Sequence, residues 1–329
     1  MIISRTPFRV SFLGGGTDLK SFYKDHPAGV ISTSIDKYIY ISMHNYFYPS
    51  RFLLKYSKTE EVGSVDDIEH AIIREVFKRF NIVNIDFNST ADIPAGTGMG
   101  SSSAFTNGLV NACSVMNGDK LAAYEIAKIA CEIEIDVLKE PIGKQDQYGT
   151  AIGGFNRIQF NPEETVDVTP IFLDREKLLD LQNNLMLFHT NKTRAASSIL
   201  AEQNQNTQSS KKVIGNLKSM YSLVDQLFRD LKNQNIDSFG HYLHQSWEYK
   251  KELASNISNG FIDELYSTAI RNGAEGGKLL GAGSSGFLLL YVPKDMHETV
   301  RKALSNCREL PFNFEDEGTK VIFNNSVAR

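Results

Sequence analysis

The chain has 329 residues, 41% of them hydrophobic, with 35 Lys and Arg against 39 Asp and Glu for a net charge of −4. That length predicts two modest domains or one large one, with a core that needs no disulfide staples. The composition excludes long disorder, a collagenous repeat and a generally basic nucleic-acid coat, and the longest apolar run, 287–292, is far short of a membrane span. Met1–Pro7 contains no apolar signal-peptide core, so a cytoplasmic location is expected. Cys113, Cys131 and Cys307 are odd in number and widely spaced, which fits buried reduced thiols better than disulfides or a zinc site.

In chain order, residues 2–13 alternate loosely and stop at Gly14-Gly15-Gly16, a strand ending in a glycine loop. Residues 31–35, 38–42 and 84–88 read as strands from their β-branched and aromatic content or alternation. Between them Ile68, Ile72, Val76 and Phe80 form a stripe that predicts a helix over 66–80. A second glycine loop, 96–100, runs into Ser101-Ser102-Ser103 and a small-residue apolar helix to Met116. A helix over 119–138 follows, ended by Pro141 and Gly143, and then a glycine-broken strand over 151–160. The polar stretch 202–212 is expected as a solvated helix face or mobile loop near the site mouth. Residues 213–231 and 262–271 are periodic helices and 286–292 a buried strand, so the second half reads as α+β. The boundary is placed near residues 160–180, with no Pro/Gly/Ser-rich linker to mark it.

Three glycine loops point to phosphate handling, because consecutive backbone N–H groups converge on an anion only where no Cβ intervenes. The familiar nucleotide motifs fail. Residues 14–21 miss a P-loop because Leu19 stands where the second glycine belongs. Residues 281–286 satisfy GxGxxG, but a strand follows rather than precedes it, the reverse of a dinucleotide fingerprint. The middle loop, 94–104, sets flexible backbone, hydroxyls and a helix start together, which suits a polyphosphate. Alone, such a turn is more often just a helix cap.

Pro94-x-Gly-x-Gly-Met-Gly-Ser-Ser-Ser-Ala104 resembles the second motif of the GHMP superfamily, the kinases named for galactokinase, homoserine kinase, mevalonate kinase and phosphomevalonate kinase. Residues 7–18 are similar to its first motif and 277–287 to its third, in the right order, although Ser284-Ser285 interrupts the usual glycine run. Galactokinases typically carry Gly-Glu-His-Thr-Asp where this chain has Gly14-Gly15-Gly16-Thr17-Asp18. With residues 139–148 and 189–194, this form most resembles the sugar-1-kinase branch that contains the D-glycero-D-manno-heptose 7-phosphate kinases, with L-fucokinase-type domains as neighbours.

The resemblance implies an α+β, two-domain GHMP kinase fold. Residues 1–168 would be ribosomal protein S5 domain 2-like and residues 169–329 ferredoxin-like, with the site in the cleft between them. It implies Asp146 as catalytic base and Arg9 beside the transferring phosphate. ATP would lie on Pro94, Gly96, Gly98, Met99, Gly100, Ser101, Ser102 and Ser103, and Mg2+ on Ser102 and Glu134, with Ser103 as the register alternative. Gly15, Gly16, Thr17, Asp18, Gly281 and Gly283 would meet the substrate. If that substrate already carries a phosphate, Lys144, Lys192 and Arg194 are candidates for a second anion pocket. His189, in an apolar run, reads as a core histidine. Without the motif, Asp146 reads as a surface turn residue, Arg9 as an edge-strand charge and Asp18 as a helix cap.

The implied activity is ATP-dependent phosphorylation of the anomeric O1 of heptose 7-phosphate, feeding nucleotide-activated heptose for surface polysaccharide. The alternatives are an L-fucokinase-like sugar kinase and a non-catalytic ATP and sugar sensor. The implied partners are small molecules, with no nucleic acid or membrane, and the oligomeric state stays open, a homodimer included.

Overall fold

The alternating N-terminal segment forms the strand Ile2–Leu13, paired antiparallel with Ala28–Asn45. Their register shifts between Pro7 and Phe8, where proline has no N–H to give to the ladder. In this computed structural model, residues 1–191 and 197–325 are described. The two strands expected over 31–35 and 38–42 are parts of one 18-residue strand. It is the centre of a nine-stranded sheet, bordered by Ile2–Leu13, Ile85–Ala91, Phe155–Phe160 and Phe314–Glu315. Among the described residues, only Phe52–Lys55 against Ile85–Ala91 is parallel.

Helix Ser101–Met116 is buried from Ser103 to Ser114, as its all-round small and apolar sequence requires. At Gly108 it lies so near the sheet that a Cβ would come within 2.9 Å of Thr6 Oγ1. Ser4 Oγ donates to the Gly108 carbonyl at 2.8 Å, tying helix to strand. This packing fixes where the helix N-terminus, carrying Ser101–Ser103, points.

The second sheet is antiparallel, in the order Arg308–Glu309, Leu185–His189, Phe287–Tyr291, Gly276–Leu279. Helix Phe239–Lys251 crosses it with Phe239, Leu243 and Trp247 fully buried. The division at 168/169 falls inside the strand Val166–Pro170, and the chain later returns to the first sheet through Phe314–Glu315 and Lys320–Asn324. The latter strand covers the edge of Ile2–Arg5 that would otherwise stay unpaired.

Several boundaries move for local reasons. The helix expected over 66–80 is a short turn, Val65–Asp67, followed by Ala71–Arg79, because Ile68 is extended and His70 Nδ1 accepts from Ile73 N at 3.5 Å as a cap. The helix expected over 119–138 starts at Ala123, where the Glu125 carboxylate accepts from Ala122 N at 2.8 Å, and it widens into a π-turn over Glu132–Val137. Residues 145–152 are helical and the strand begins only at Phe155, after Gly153 and Gly154 turn with positive φ. Residues 202–209 belong to the helix Ser197–Ser209, and Gln203 and Thr207 in it are buried rather than solvated.

Candidate functional site

The first glycine loop is held by Thr17, whose hydroxyl reaches Gly14 O at 2.8 Å and Gly29 O at 3.0 Å. Gly16 has φ +103, and a Cβ there would collide with the Gln203 amide. The loop delivers Asp18, which is buried and accepts from Gly16 N at 2.9 Å, Gln145 N at 3.3 Å and Gln145 Nε2 at 3.2 Å. Burial, with the nearby Asp146 charge, pushes its carboxyl above the ordinary value in spite of these donors.

The second and third loops touch. Gly98, at φ +80, faces Leu280 O so closely that a Cβ would sit 2.5 Å from it, and a Cβ on Gly281 would overlap Gly98 Cα. Phe287 N donates to Thr97 O at 3.3 Å. The loop that begins the Ser101–Met116 helix is thus fixed against a strand of the second sheet.

Arg9 is the buried charge of the first strand. Its Nε and Nη2 donate to Asp146 Oδ1 at 2.8 and 2.6 Å, and its Nη1 to Gly98 O at 2.7 Å. Asp146 projects from the first turn of the helix Gln145–Ile152 and keeps partial solvent access. Gly100 lies against both, since a Cβ there would come within 3.2 Å of Arg9 Cγ and 3.5 Å of Asp146 Oδ2.

Glu134 sits at the widened turn, 1% exposed, and accepts from Ser102 Oγ at 2.8 Å, Ser103 Oγ at 2.8 Å and Gln147 Nε2 at 2.7 Å. Burial raises its pKa, against the pull of these three donors. Among the described residues no cluster of three or more His, Cys, Asp or Glu forms a metal cage. One carboxylate with a hydroxyl beside it suits Mg2+, which binds through one or two protein oxygens together with substrate phosphates. Glu132 instead pairs with Arg79 at 2.9 Å and Asp136 is exposed, as their spacing predicts.

Two cavities meet at this centre. The larger, about 590 Å3, runs from Gly96, Gly98, Gly100 and Ser101–Ser103 to an apolar end made by Ile39, Ile72, Ile93 and Phe105. His70 stacks on Phe105 there, ring centroids 5.1 Å apart, with Tyr56 edge-on to His70. The smaller, about 70 Å3, is walled by Gly15, Gly16, Asp18, Gln145, Gln203, Lys250 and Lys278. Arg9, Asp146 and Gly281 wall both.

The structure therefore brings together Arg9, Asp146, Asp18, Gly15, Gly16, Gly96, Gly98, Gly100, Ser101, Ser102, Ser103, Glu134, Gly281 and Gly283. Pro94, Met99 and Thr17 line neither cavity and act as supports: Pro94 O accepts from Thr97 Oγ1, Met99 O from Arg9 N, and Thr17 pins the first loop. Lys144 is not brought to the site, because Glu164 takes its ammonium at 2.5 Å in a group with Lys20 and Tyr23. Lys192 and Arg194 lie outside the described residues. His189 is a packed residue against Phe287, but its Nε2 has no partner among the described residues.

Sequence reasoning missed Lys250, Lys278, Gln145 and Gln203. A signal for Lys250 exists: it continues the buried stripe Phe239, Leu243, Trp247 at helical spacing, where a lysine is out of place. Lys278 stands inside the third motif itself.

Comparison with known proteins bears on the whole arrangement. The GHMP kinases N terminal domain matches residues 68–154 and the GHMP kinases C terminal domain residues 227–309. The D-glycero-alpha-D-manno-heptose 7-phosphate kinase of Campylobacter jejuni is 29% identical, covering 97% of this chain and 98% of that protein. The L-fucokinase/L-fucose-1-P guanylyltransferase of Bacteroides fragilis is 28% identical over 71% of this chain and 25% of its own length. Among solved structures, a D-glycero-D-manno-heptose 1-phosphate kinase from Bacteroides thetaiotaomicron superposes with a TM-score of 0.80 at 22% identity, covering 99% and 100% of the two chains. The Methanococcus jannaschii mevalonate kinase gives 0.72 at 20% identity, covering 95% and 98%.

Proposed function

Because the chain belongs to the GHMP kinase family and is a sugar kinase within it, we propose that it transfers the γ-phosphate of ATP to the anomeric O1 of D-glycero-D-manno-heptose 7-phosphate, giving the 1,7-bisphosphate. The observation that carries this reading is Asp146, held by Arg9 where the two cavities join. The heptose 7-phosphate kinase similar over nearly the full length of both chains supports the choice of sugar.

Phosphoryl transfer depends on positioning and charge stabilisation more than on covalent chemistry. The N–H groups of the 96–100 loop and the start of the Ser101–Met116 helix receive the phosphates, and the apolar end with His70 and Phe105 takes the purine. Glu134 and Ser102 would hold Mg2+, which would supply neutralisation of phosphate charge. On the acceptor side, Asp18 and Gln145 orient hydroxyls. The acceptor oxygen attacks the γ-phosphorus as the bond to the bridging oxygen breaks, its proton passes to Asp146, and ADP leaves. Both Arg9 bonds fall on Oδ1, so Oδ2 is the oxygen that takes the proton.

A coupled ADP-release assay across heptose 7-phosphate, mannose, fucose and galactose tests the reading. Turnover is expected on heptose 7-phosphate, and a higher kcat/KM on fucose or galactose would replace it.

A further inference from the structure

Lys250 and Lys278 are only 4% and 2% exposed, and both wall the smaller cavity. Lys250 comes from the last turn of the helix Phe239–Lys251 and Lys278 from the strand Gly276–Leu279. Their ammonium groups meet neutral carbonyls. Lys278 Nζ donates to Phe12 O at 3.0 Å, and Lys250 Nζ to Leu279 O at 3.4 Å and to Gly281 O.

The acids that face them have other partners as well: Asp18 accepts from Gly16 N and two donors of Gln145, and Asp146 Oδ1 from Arg9. The cavity wall thus sets Arg9, Lys250 and Lys278 against Asp18 and Asp146, an excess of buried positive charge that is costly to keep in a fold. Burial and the neighbouring Arg9 hold Lys250 down to about 8, and burial with Lys250 and Arg9 beside it lowers Lys278 as well. Three polar atoms of residues lining the same cavity have no partner among the described residues: Ser11 Oγ, Gln145 Oε1 and Gln203 Nε2. Two of these are donors, and the third accepts from a hydroxyl. An anion on a polyol would satisfy all of them.

We propose that Lys250 and Lys278 form the seat for an anionic group of the acceptor itself, a phosphate monoester remote from the hydroxyl that is phosphorylated. This rests on the sugar-kinase reading above and deepens it. A space of about 70 Å3 holds a group the size of phosphate rather than a whole sugar phosphate. Its walls Arg9, Asp146 and Gly281 are shared with the larger cavity, so the rest of the acceptor extends towards the base. The γ-phosphate of the nucleotide has the same chemistry. However, the glycine loop and helix start that suit the triphosphate line the larger cavity, and neither lysine does. The two lysines thus take the role for which Lys144, Lys192 and Arg194 are the candidates from sequence.

The test compares wild type with Lys250→Met, Lys278→Met and Lys250→Gln, using heptose 7-phosphate, unphosphorylated heptose and ATP as probes. Wild type is expected to prefer the phosphorylated sugar about a hundredfold or more in kcat/KM, as charge-paired recognition allows. Each Met variant should raise KM for heptose 7-phosphate about ten- to a hundredfold and collapse that preference. The ATP dissociation constant without acceptor should stay within about twofold, which also reports that the variants fold. Gln keeps an N–H for Gly281 O but no charge, so it should behave like Met. Rescue by Gln would make Lys250 a clamp on the third loop and overturn the proposal, and weaker ATP binding would assign the seat to the nucleotide. Should no sugar be turned over at all, the kinase reading fails by itself. Calorimetry with heptose 7-phosphate then decides the seat: binding lost in the Met variants upholds it, and equal binding overturns it.

Discussion

Arg9 and Asp146 stand 137 positions apart, and the guanidinium grips one carboxylate oxygen twice, from Nε at 2.8 Å and from Nη2 at 2.6 Å. Both donors hold Oδ1 in place and leave Oδ2 without a bond from the arginine. The arginine is fixed in turn, by Gly98 O through Nη1 and by Met99 O through its own backbone N–H. Asp146, Arg9 and the 96–100 loop are therefore joined in one hydrogen-bonded unit.

Asp146→Asn removes the proton acceptor but keeps the side-chain shape. We expect kcat to fall about 10²–10⁴-fold, the usual range for losing a general base, with the ATP dissociation constant within about threefold. Steady-state rates and equilibrium ATP binding check this; near wild-type turnover would discard Asp146 as base.

Gly98→Ala and Gly281→Ala should each destabilise the protein by about 1–3 kcal/mol and weaken ATP binding, because each places a Cβ into the facing loop at a positive φ. Since the two glycines touch, the double variant should lose less than the sum. Gly215→Ala is the contrasting case, a helix interior with no heavy atom within 4 Å, and should stabilise by about 0.5–1 kcal/mol. Thermal and denaturant unfolding of the four variants provide the comparison.

Ser102→Ala should raise the Mg2+ concentration for half-maximal rate about tenfold, and Glu134→Gln should abolish most turnover, since each removes a hard oxygen from the same point. Binding of ATP measured without Mg2+ should change little in Ser102→Ala. A magnesium titration curve identical to wild type would remove Ser102 from the metal site, leaving Ser103 as the hydroxyl on Glu134.

Lys250→Met should be more stable than wild type near pH 7, and that advantage should shrink as pH rises from about 8 towards 10. Between the folded value, about 8, and the unfolded value near 10.5, the unfolded chain carries the extra proton, so the lysine's burden on stability falls as pH rises. Of the groups facing it, Arg9, Asp18 and Asp146 remain in both proteins, while Lys278 loses a like charge that holds its pKa down, an effect of the same sign. Melting curves at pH 6, 7 and 9 test the sign. An advantage that grows with pH would contradict it.

The centre of the site was legible because its signals are local. Glycine runs, a serine triplet before a helix, and the Gln145-Asp146-Gln147 segment state their own backbone and capping chemistry. The resemblance of all three motifs added which residues share a site. Lys144 misled for the same reason that it stood out: a charge next to a key aspartate in sequence was free to turn away, and Glu164, Lys20 and Tyr23 gave it another place. Helix starts at Ala71 and Ala123 escaped because caps from His70 and Glu125 outweighed an apolar stripe that continued past them.

By itself the sequence determined the first strand, the strand around 84–88, the buried strand near 287–291, the buried helix 101–116 and the three glycine loops, since backbone freedom, capping and periodicity are properties of neighbouring residues, and the resemblance added the base and metal candidates. Tertiary structure decided what no neighbour could. It set Gly98 against Gly281, put Lys320–Asn324 beside Ile2–Arg5, and enclosed Lys250 and Lys278 with Asp18 and Arg9. Charge neutralisation and cavity shape depend on distances in space between segments far apart in the chain, and only the packing of the two sheets fixes those distances.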